Sequence, residues 1–199
     1  MTQQPETKSP AATAEIVAEQ LRQPPEIWIG TADDYNAERQ FGGWVAAGQL
    51  PEDLNADIRR VVDRTPPDLS ADWAVHELRG FGLWEPGGND DLEAINKVAR
   101  GILQHGLAYA GLVAAVGADS IAAEPARFHS SYVGEWPSTT AFATDFVHES
   151  GWMARLQRLP ESMQPFIMVD LERLIEVAQR DLTVVEHLDG IWVFDPRRW

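Results

Sequence analysis

The spacing of apolar residues predicts a first domain made of a small sheet and one helix. Three stretches are rich in β-branched and aromatic residues and are typical of strands: Glu26–Thr31, a strand that starts at Gly42, and Asp72–Leu78. Pro51 opens a helix between the second and third of these strands. Its apolar residues recur at helical spacing, at Leu54, Ile58, Val61 and Val62. Residues 26–89 therefore predict an N-terminal α/β domain with an antiparallel sheet.

The pattern becomes helical from residue 90. Apolar residues fall on one stripe between Asp90 and Ala115, although Gly106 weakens the case for a single unbroken helix. A second short helix is predicted over Ser120–Arg127. Residues 90–131 are expected to form a helical middle domain.

Helices and strands are mixed again in residues 132–199, which we interpret as a C-terminal α/β domain. Ser138 or Thr139 can cap a helix that ends at Gly151, and another helix is predicted over Val169–Arg180. Two strands follow, around Leu182–Val185 and Ile191–Phe194, joined by a turn. The fold class is therefore α+β. Residues 1–25 contain a possible helix over Ala11–Arg22, but their polar composition predicts a mobile extension outside the fold.

Composition adds an acidic surface to this picture. The chain has 31 Asp and Glu against 16 Lys and Arg, for a net charge of −15, while 44% hydrophobic residues and eight Trp indicate a folded protein. Residues 26–100 hold 15 acids and 7 bases, residues 101–160 hold 5 and 3, and residues 161–199 hold 8 and 4. Such charge argues against direct nucleic-acid binding and favours either a basic partner or simple solubility.

Targeting and redox signals are absent from the sequence. There is no Cys, no apolar signal sequence at the N-terminus and no apolar run that approaches the ~18 residues of a membrane span. We expect a cytoplasmic protein with no membrane association.

Motifs for catalysis and for cofactors are also not found. Gly80-Phe81-Gly82 lacks the third glycine of a dinucleotide site. The adjacent pairs His76-Glu77 and Glu186-His187 lie in predicted strands, so their side chains are expected on opposite faces. No two of the five histidines have the i, i+4 spacing of a helical metal site: His76, His105, His129, His148 and His187. We therefore predict no enzyme activity, no metal and no cofactor.

The acids in the helix after Pro51 are more informative. Glu52, Asp53 and Asp57 recur at near-helical spacing, and one helical turn rises ~5.4 Å, while phosphates on one DNA strand advance ~3.4 Å. Such a row could approximate a row of phosphates. Spacing alone equally allows an ordinary solvated helix face.

Three ordered segments resemble the ArdA family of antirestriction proteins. The first is Ile27-Trp28-Ile29 with Asp34-Tyr35-Asn36 and Gly43-Trp44, and the second is Asp72–Glu77 with Gly80-Phe81-Gly82. The third begins at Gly134-Glu135-Trp136, continues through Leu159–Met163 and closes with Asp189–Phe194. Together they span residues 26–195.

This resemblance implies an elongated three-part protein that mimics bent double-stranded DNA. It implies competitive occupation of the DNA groove of type I restriction–modification enzymes, chiefly the modification core, and pairing of two copies through the C-terminal domain. The stretch from Leu159 to Asp181 resembles the antirestriction motif of the family. Residues 101–160 are less acidic than a mimic surface of this family, and Arg155 and Arg158 add positive charge.

Two sets of residues carry these expectations. Trp152, Met153, Leu156 and Leu159 are candidates for the dimer contact, with an internal core as the alternative. Alternatives for the function are an acidic adaptor that binds another basic protein, and a hydrolase. The candidate mimic surface consists of Asp33, Asp34, Glu38, Glu52, Asp53, Asp57, Asp63, Asp68, Asp90, Asp91, Glu93, Glu135, Asp145, Glu149, Glu161, Asp170, Glu172 and Glu176.

Overall fold

The computed structural model describes residues 23–31, 35, 41–66, 72–86, 91–120 and 124–198. The predicted helix over Ala11–Arg22 and the mimic candidates Asp33, Asp34, Glu38, Asp68 and Asp90 lie outside these residues. The chain divides into two compact units, one ending at Ser120 and the other beginning at Ile121. The predicted division into three domains and an extension stays a prediction.

The first unit contains the predicted sheet. Strand β1 (Glu26–Thr31) lies between β2 (Gly43–Ala46) and β3 (Trp73–Arg79), and both pairings are antiparallel. Helix α1 (Pro51–Val62) packs on β1 and β2 through its buried residues Leu54, Ile58 and Val61. The predicted helix is confirmed, and three of its four predicted apolar residues are buried while Val62 is half-buried.

The predicted helical stretch after Asp90 is two helices. Helix α2 (Leu92–His105) ends where Gly106 adopts φ +76°, and α3 (Leu107–Val116) follows directly and packs back on α2. The Tyr109 ring is fully buried against Gly101 of α2, where an added Cβ would overlap the ring. The Asn96 amide donates hydrogen bonds to the Ala47 and Gln49 carbonyls and so fixes α2 to the chain that follows β2.

The second unit starts with a helix that differs from the prediction. Helix α4 covers Pro125–Ser131 rather than Ser120–Arg127, because Pro125 occupies the first helical position. The sheet then contains a strand that was not predicted, β4 (Tyr132–Trp136), which pairs with β6 (Gly190–Phe194). Strand β5 (Thr183–His187) lies on the other side of β6, and all pairings are antiparallel.

The described residues of the second unit contain three further α-helices, together with 3-10 turns at Gln164–Phe166 and Pro196–Arg198. Helix α5 (Thr139–Glu149) is capped by Ser138, whose side chain accepts a hydrogen bond from the Ala141 amide at 3.1 Å, as predicted. The short helix α6 (Trp152–Leu156) was not predicted, and α7 (Leu171–Asp181) matches the predicted helix within two residues. Phe142 of α5 and Ala178 of α7 form the core with Ile191 and Val193 of β6. The α+β fold class is confirmed, with one small antiparallel sheet in each unit.

Candidate functional site

The first turn of α1 exposes two of the candidate carboxylates. Pro51 is the first helical residue, and Glu52 and Asp53 follow on the solvent side. Acids in this position are stabilised by the helix dipole, so their presence also helps the helix to begin here. Neither acid forms an ion pair within the described residues.

The charge of α1 changes sign after its first turn. Asp57 is half-buried, lies 2.5 Å from the Arg60 guanidinium and accepts a hydrogen bond from the Gln49 amide at 2.8 Å. Arg59 is exposed in the last turn of the helix, and Arg64 is exposed two residues after its end. The charge of Asp57 is therefore largely compensated inside the chain, while Asp63 at the helix end is exposed.

Two further candidates mark the beginning of α2. Asp91 is the N-cap, and its carboxylate accepts a hydrogen bond from the Ala94 amide at 3.0 Å. Glu93, in the first turn, is exposed and makes no ion pair with another described residue. The capping role of Asp91 accounts for its position without any partner protein.

Four candidates in the second unit have partners of their own. Glu135 lies 3.3 Å from the His187 ring, and Asp145 accepts a hydrogen bond from the Trp136 indole at 3.0 Å. Asp170 caps α7, and Glu176 forms a 2.5 Å ion pair with Arg173. The three remaining candidates of this unit, Glu149, Glu161 and Glu172, are exposed and have no ion pair among the described residues.

The candidates thus separate into two groups. Seven, which we call the unpaired carboxylates, are exposed and available to a partner: Glu52, Asp53, Asp63, Glu93, Glu149, Glu161 and Glu172. Six, which we call the partnered carboxylates, have a carboxylate oxygen within 3.3 Å of a nitrogen atom of the chain: Asp57, Asp91, Glu135, Asp145, Asp170 and Glu176. An exposed carboxylate resembles a phosphate more closely than one whose charge a neighbour already compensates.

Other exposed acids were not among the candidates. Asp119, Glu124, Glu186 and Asp189 are exposed at turns, helix ends or strands. They occur singly in the sequence and follow no helical period, so only their exposure in the folded chain could have identified them.

Two acids near the C-terminus are bound to arginine. The Arg197 guanidinium donates hydrogen bonds to Asp195 and lowers the pKa of this carboxyl below its usual value, and Arg198 adds a weaker attraction. The hydrogen bond from Arg180 likewise lowers the pKa of Asp181. Asp195 is buried and contributes to the structure of the second unit, whereas the Arg180–Asp181 pair lies at the surface.

The structure corrects the expectation that His76 and Glu77 point to opposite faces. The pairing of β1 with β3 shifts in register between Trp28 and Ile29, as at a β-bulge, and a bulge redirects side chains. The Tyr35 ring stacks on His76 with 4.5 Å between centroids, and its hydroxyl donates a 3.0 Å hydrogen bond to Glu77. Both side chains therefore meet one tyrosine.

This cluster lies next to a cavity of about 450 Å³ lined by residues 76–82 and 84–86. The His76 Nε2 atom lies 3.1 Å from the Gly30 carbonyl oxygen, so one ring nitrogen is used by the sheet itself.

Among the described residues no group of three or more His, Asp or Glu could hold a metal ion. Every helix among the described residues is too short or too polar to cross a membrane.

The second unit also has an exposed apolar surface. Trp152 and Met153 of α6 are 38% and 39% exposed, Leu156 and Leu159 are half-buried, and the Phe146 ring lies edge-on against Trp152. We call these five residues the α6 surface. Trp152 and Met153 are not internal core residues, which was the alternative interpretation.

The fold and the seven unpaired carboxylates define a class: an acidic α+β protein with exposed carboxylates in both units. A comparison with protein families matches residues 27–191 to Antirestriction protein (ArdA), which covers most of the chain. The chain therefore belongs to the ArdA family of antirestriction proteins, which are inhibitors that act on type I restriction–modification enzymes. A search of curated proteins finds no match.

Proposed function

We propose that the chain inhibits type I restriction–modification enzymes by resembling double-stranded DNA and occupying their DNA-binding groove. The observation that carries this proposal is the set of seven unpaired carboxylates, which occur in both units of an acidic chain. A groove that binds phosphates offers Lys and Arg side chains, and exposed carboxylates satisfy the same cations.

The mechanism is competition without chemistry. Binding to phosphates or to carboxylates releases counterions, so affinity falls as salt rises. For about 6–10 neutralised charges, the corresponding DNA complexes lose roughly 10³–10⁵ in affinity between 50 and 200 mM salt. We expect a loss of that order for the complex of this chain with a type I modification enzyme.

Neutralising variants test which carboxylates matter. We expect the triple variant Glu52→Gln, Asp53→Asn, Glu93→Gln to reduce the slope of log affinity against log salt by roughly 0.9 per charge removed. The matched control is Asp57→Asn, Asp145→Asn, Glu176→Gln, which removes the same net charge from partnered carboxylates. Its slope should change less, because those charges are already compensated. Equal changes in the two variants, or a wild-type affinity that is insensitive to salt, would contradict the proposal.

Competition separates mimicry from the alternative of an acidic adaptor. Excess duplex DNA should displace the chain from the enzyme if both occupy one groove. A ternary complex of enzyme, DNA and this chain would show that binding occurs elsewhere, and would favour the adaptor.

We also propose that two copies of the chain pair through the α6 surface. Exposed aromatic and methionine side chains in contact with each other are typical of interface centres. Arg155 and Arg158 are exposed beside this surface, so basic side chains flank the apolar contact. Sedimentation over a range of protein concentrations measures the pairing, and Trp152→Ser with Met153→Ser should weaken it.

A further inference from the structure

Residues from the first five positions of α1 and of α2 line a second cavity of about 450 Å³ in the first unit. Its volume is that of an ordinary ligand pocket, and its wall combines apolar side chains with a few polar ones, as such pockets do. We call it the α1–α2 cavity. Its described lining consists of Pro51, Leu54, Asn55, Leu92, Glu93 and Asn96.

The two amide side chains of this lining turn their nitrogen atoms to the backbone. Asn55 Nδ2 donates a 2.7 Å hydrogen bond to the Pro51 carbonyl. Asn96 Nδ2 donates hydrogen bonds to the Ala47 and Gln49 carbonyls at 2.6 and 2.9 Å. These bonds fix the orientation of each amide, so its oxygen is the polar atom that remains for a ligand.

The polar side-chain atoms that remain in the cavity are all hydrogen-bond acceptors. No described residue donates a hydrogen bond to the amide oxygen of Asn55 or Asn96, and none forms an ion pair with the Glu93 carboxylate. Asn96 is only 6% exposed, so its oxygen has little access to water. A buried acceptor without a donor is costly, and a ligand that donates hydrogen bonds removes this cost.

The charge around the cavity favours a cation. Glu52 and Asp53 in the first turn of α1, and Asp91 and Glu93 at the start of α2, contribute four negative charges. The two helix N-termini oppose them with only about half a positive charge each. Lys97 follows one turn after Glu93 but is not part of the described lining. The sum is negative, and the cavity therefore attracts cations and repels anions.

We infer that the α1–α2 cavity binds an arginine side chain from the DNA-binding groove of the target enzyme. This inference rests on the proposed function and names one of its contacts. A guanidinium group has five N–H donors and no acceptor, which matches two amide oxygens and a carboxylate. The aliphatic part of the arginine side chain packs against Pro51, Leu54 and Leu92.

An arginine of the enzyme fits the cavity better than a lysine or a dissolved cation. The ammonium group of lysine is a compact, strongly hydrated charge with three donors, so it matches several separate acceptors less well. A dissolved cation makes this one contact only, whereas an arginine of the groove arrives together with the other cations that the unpaired carboxylates bind. The enzyme therefore gains more from the cavity than a free ligand does.

Titration of the full chain with n-propylguanidinium tests the chemistry of the cavity without enzyme. We expect saturable shifts in the NMR signals of the Asn96 side-chain amide and the Glu93 backbone amide at roughly millimolar concentration. The control cation n-propylammonium has the same charge and aliphatic chain and should bind at least about threefold more weakly. Equal effects of the two cations, or no saturable shift, would overturn the assignment of a guanidinium site.

A matched pair of lysine variants on α1 tests the contact with the enzyme. Asn55→Lys places a cation at the cavity, while Ala56→Lys adds the same charge at the next exposed residue, which does not line it. Melting temperatures check that both variants fold. Asn55→Lys should abolish the propylguanidinium shifts, and it should raise the dissociation constant for a type I modification enzyme at least about tenfold more than Ala56→Lys does.

The result for this cavity can be separated from the result for mimicry as a whole. If the two variants bind the enzyme equally well while the wild-type affinity still falls with salt, the arginine contact is wrong and the mimicry proposal stands. If the wild-type chain does not bind the enzyme at all, both are wrong, and propylguanidinium binding would then assign the cavity to a guanidinium compound from another source.

Discussion

Asp195 is an acid whose side chain is buried and hydrogen-bonded within the fold, unlike the unpaired carboxylates. It is buried, accepts hydrogen bonds from the Arg197 side chain and backbone, and its own amide donates to the Ser131 carbonyl at 2.8 Å. These contacts connect the end of the chain to the start of β4. An acid with such partners stabilises the fold and offers little to a partner protein.

The lowered pKa of Asp195 gives a pH-dependent prediction. A carboxyl whose folded pKa lies below its unfolded value stabilises the fold above the unfolded pKa, and this contribution is lost as pH falls through the folded pKa. We expect Asp195→Asn to lower the free energy of unfolding by about 1–3 kcal/mol at neutral pH. Urea unfolding from neutral pH down to acid measures this difference, which should shrink in acid.

Asp181→Asn is the matched control for Asp195→Asn. Its pKa is lowered in the same direction by Arg180, but both partners are on the surface, where solvent screens the pair. The effect should be clearly smaller than that of Asp195→Asn. An equal loss in the two variants would show that burial of Asp195 contributes nothing.

The Tyr35 cluster gives a second prediction for single residues. Tyr35→Phe removes the hydrogen bond to Glu77 but keeps the ring that stacks on His76. We expect it to cost about 0.5–1.5 kcal/mol of unfolding free energy, and Tyr35→Ala to cost more because the stack is lost as well. Thermal unfolding measures both changes, and a Phe variant as unstable as the Ala variant would contradict the role given to the ring.

At the scale of elements, the packing of α3 against α2 depends on two glycines: Gly106 between the two helices and Gly101 inside α2. Gly106 has φ +76° and ψ −170°, a region essentially restricted to glycine, with open space around it. We expect Gly106→Ala to cost about 1–3 kcal/mol through backbone strain alone. Gly101→Ala should cost more, because its Cβ would meet the buried Tyr109 ring inside two packed helices. Chemical denaturation ranks the two, and the reverse order would contradict this explanation.

Elements with a strong local pattern could be predicted from the sequence, and weakly patterned ones could not. The apolar stripe of α1 and the β-branched run of β1 gave correct positions. Strand β4 was missed because it has five residues, among them a glycine, and is held mainly by its pairing with β6. The five-residue α6 was missed because it begins directly after Gly151, which was interpreted only as a helix end.

The positions of the acids in the candidate site could be predicted, but not which of them are neutralised by neighbouring side chains. Acid positions can be read from the sequence, whereas the neutralisation of Asp57 by Arg60 and Gln49 depends on how side chains meet in the folded chain. The bulge that brings His76 and Glu77 to Tyr35 is likewise a property of strand register. Periodicity alone assigned those two residues to opposite faces and was wrong.

For the whole molecule, the net charge of −15 predicts that salt acts in opposite directions on folding and on binding. Excess negative charge repels itself in the compact state, so screening should stabilise the fold, while the same screening weakens attraction to a basic groove. The Debye length falls from about 30 Å at 0.01 M to about 8 Å at 0.15 M salt, so most of the change should occur in this range. We expect the melting temperature to rise, and enzyme affinity to fall, over the same salt series.

The variant Glu52→Gln, Asp53→Asn, Glu93→Gln links the two effects in one chain. Removing three negative charges lessens self-repulsion, so its melting temperature should depend less on salt than that of the wild type, and its enzyme affinity should depend less on salt as well. The three acids also stabilise the first turns of α1 and α2 through the helix dipole, which offsets part of the relief of self-repulsion. A variant whose enzyme affinity kept the full salt dependence of the wild type would show that these carboxylates do not meet the groove, and the acidic surface would lose its principal support as a DNA mimic.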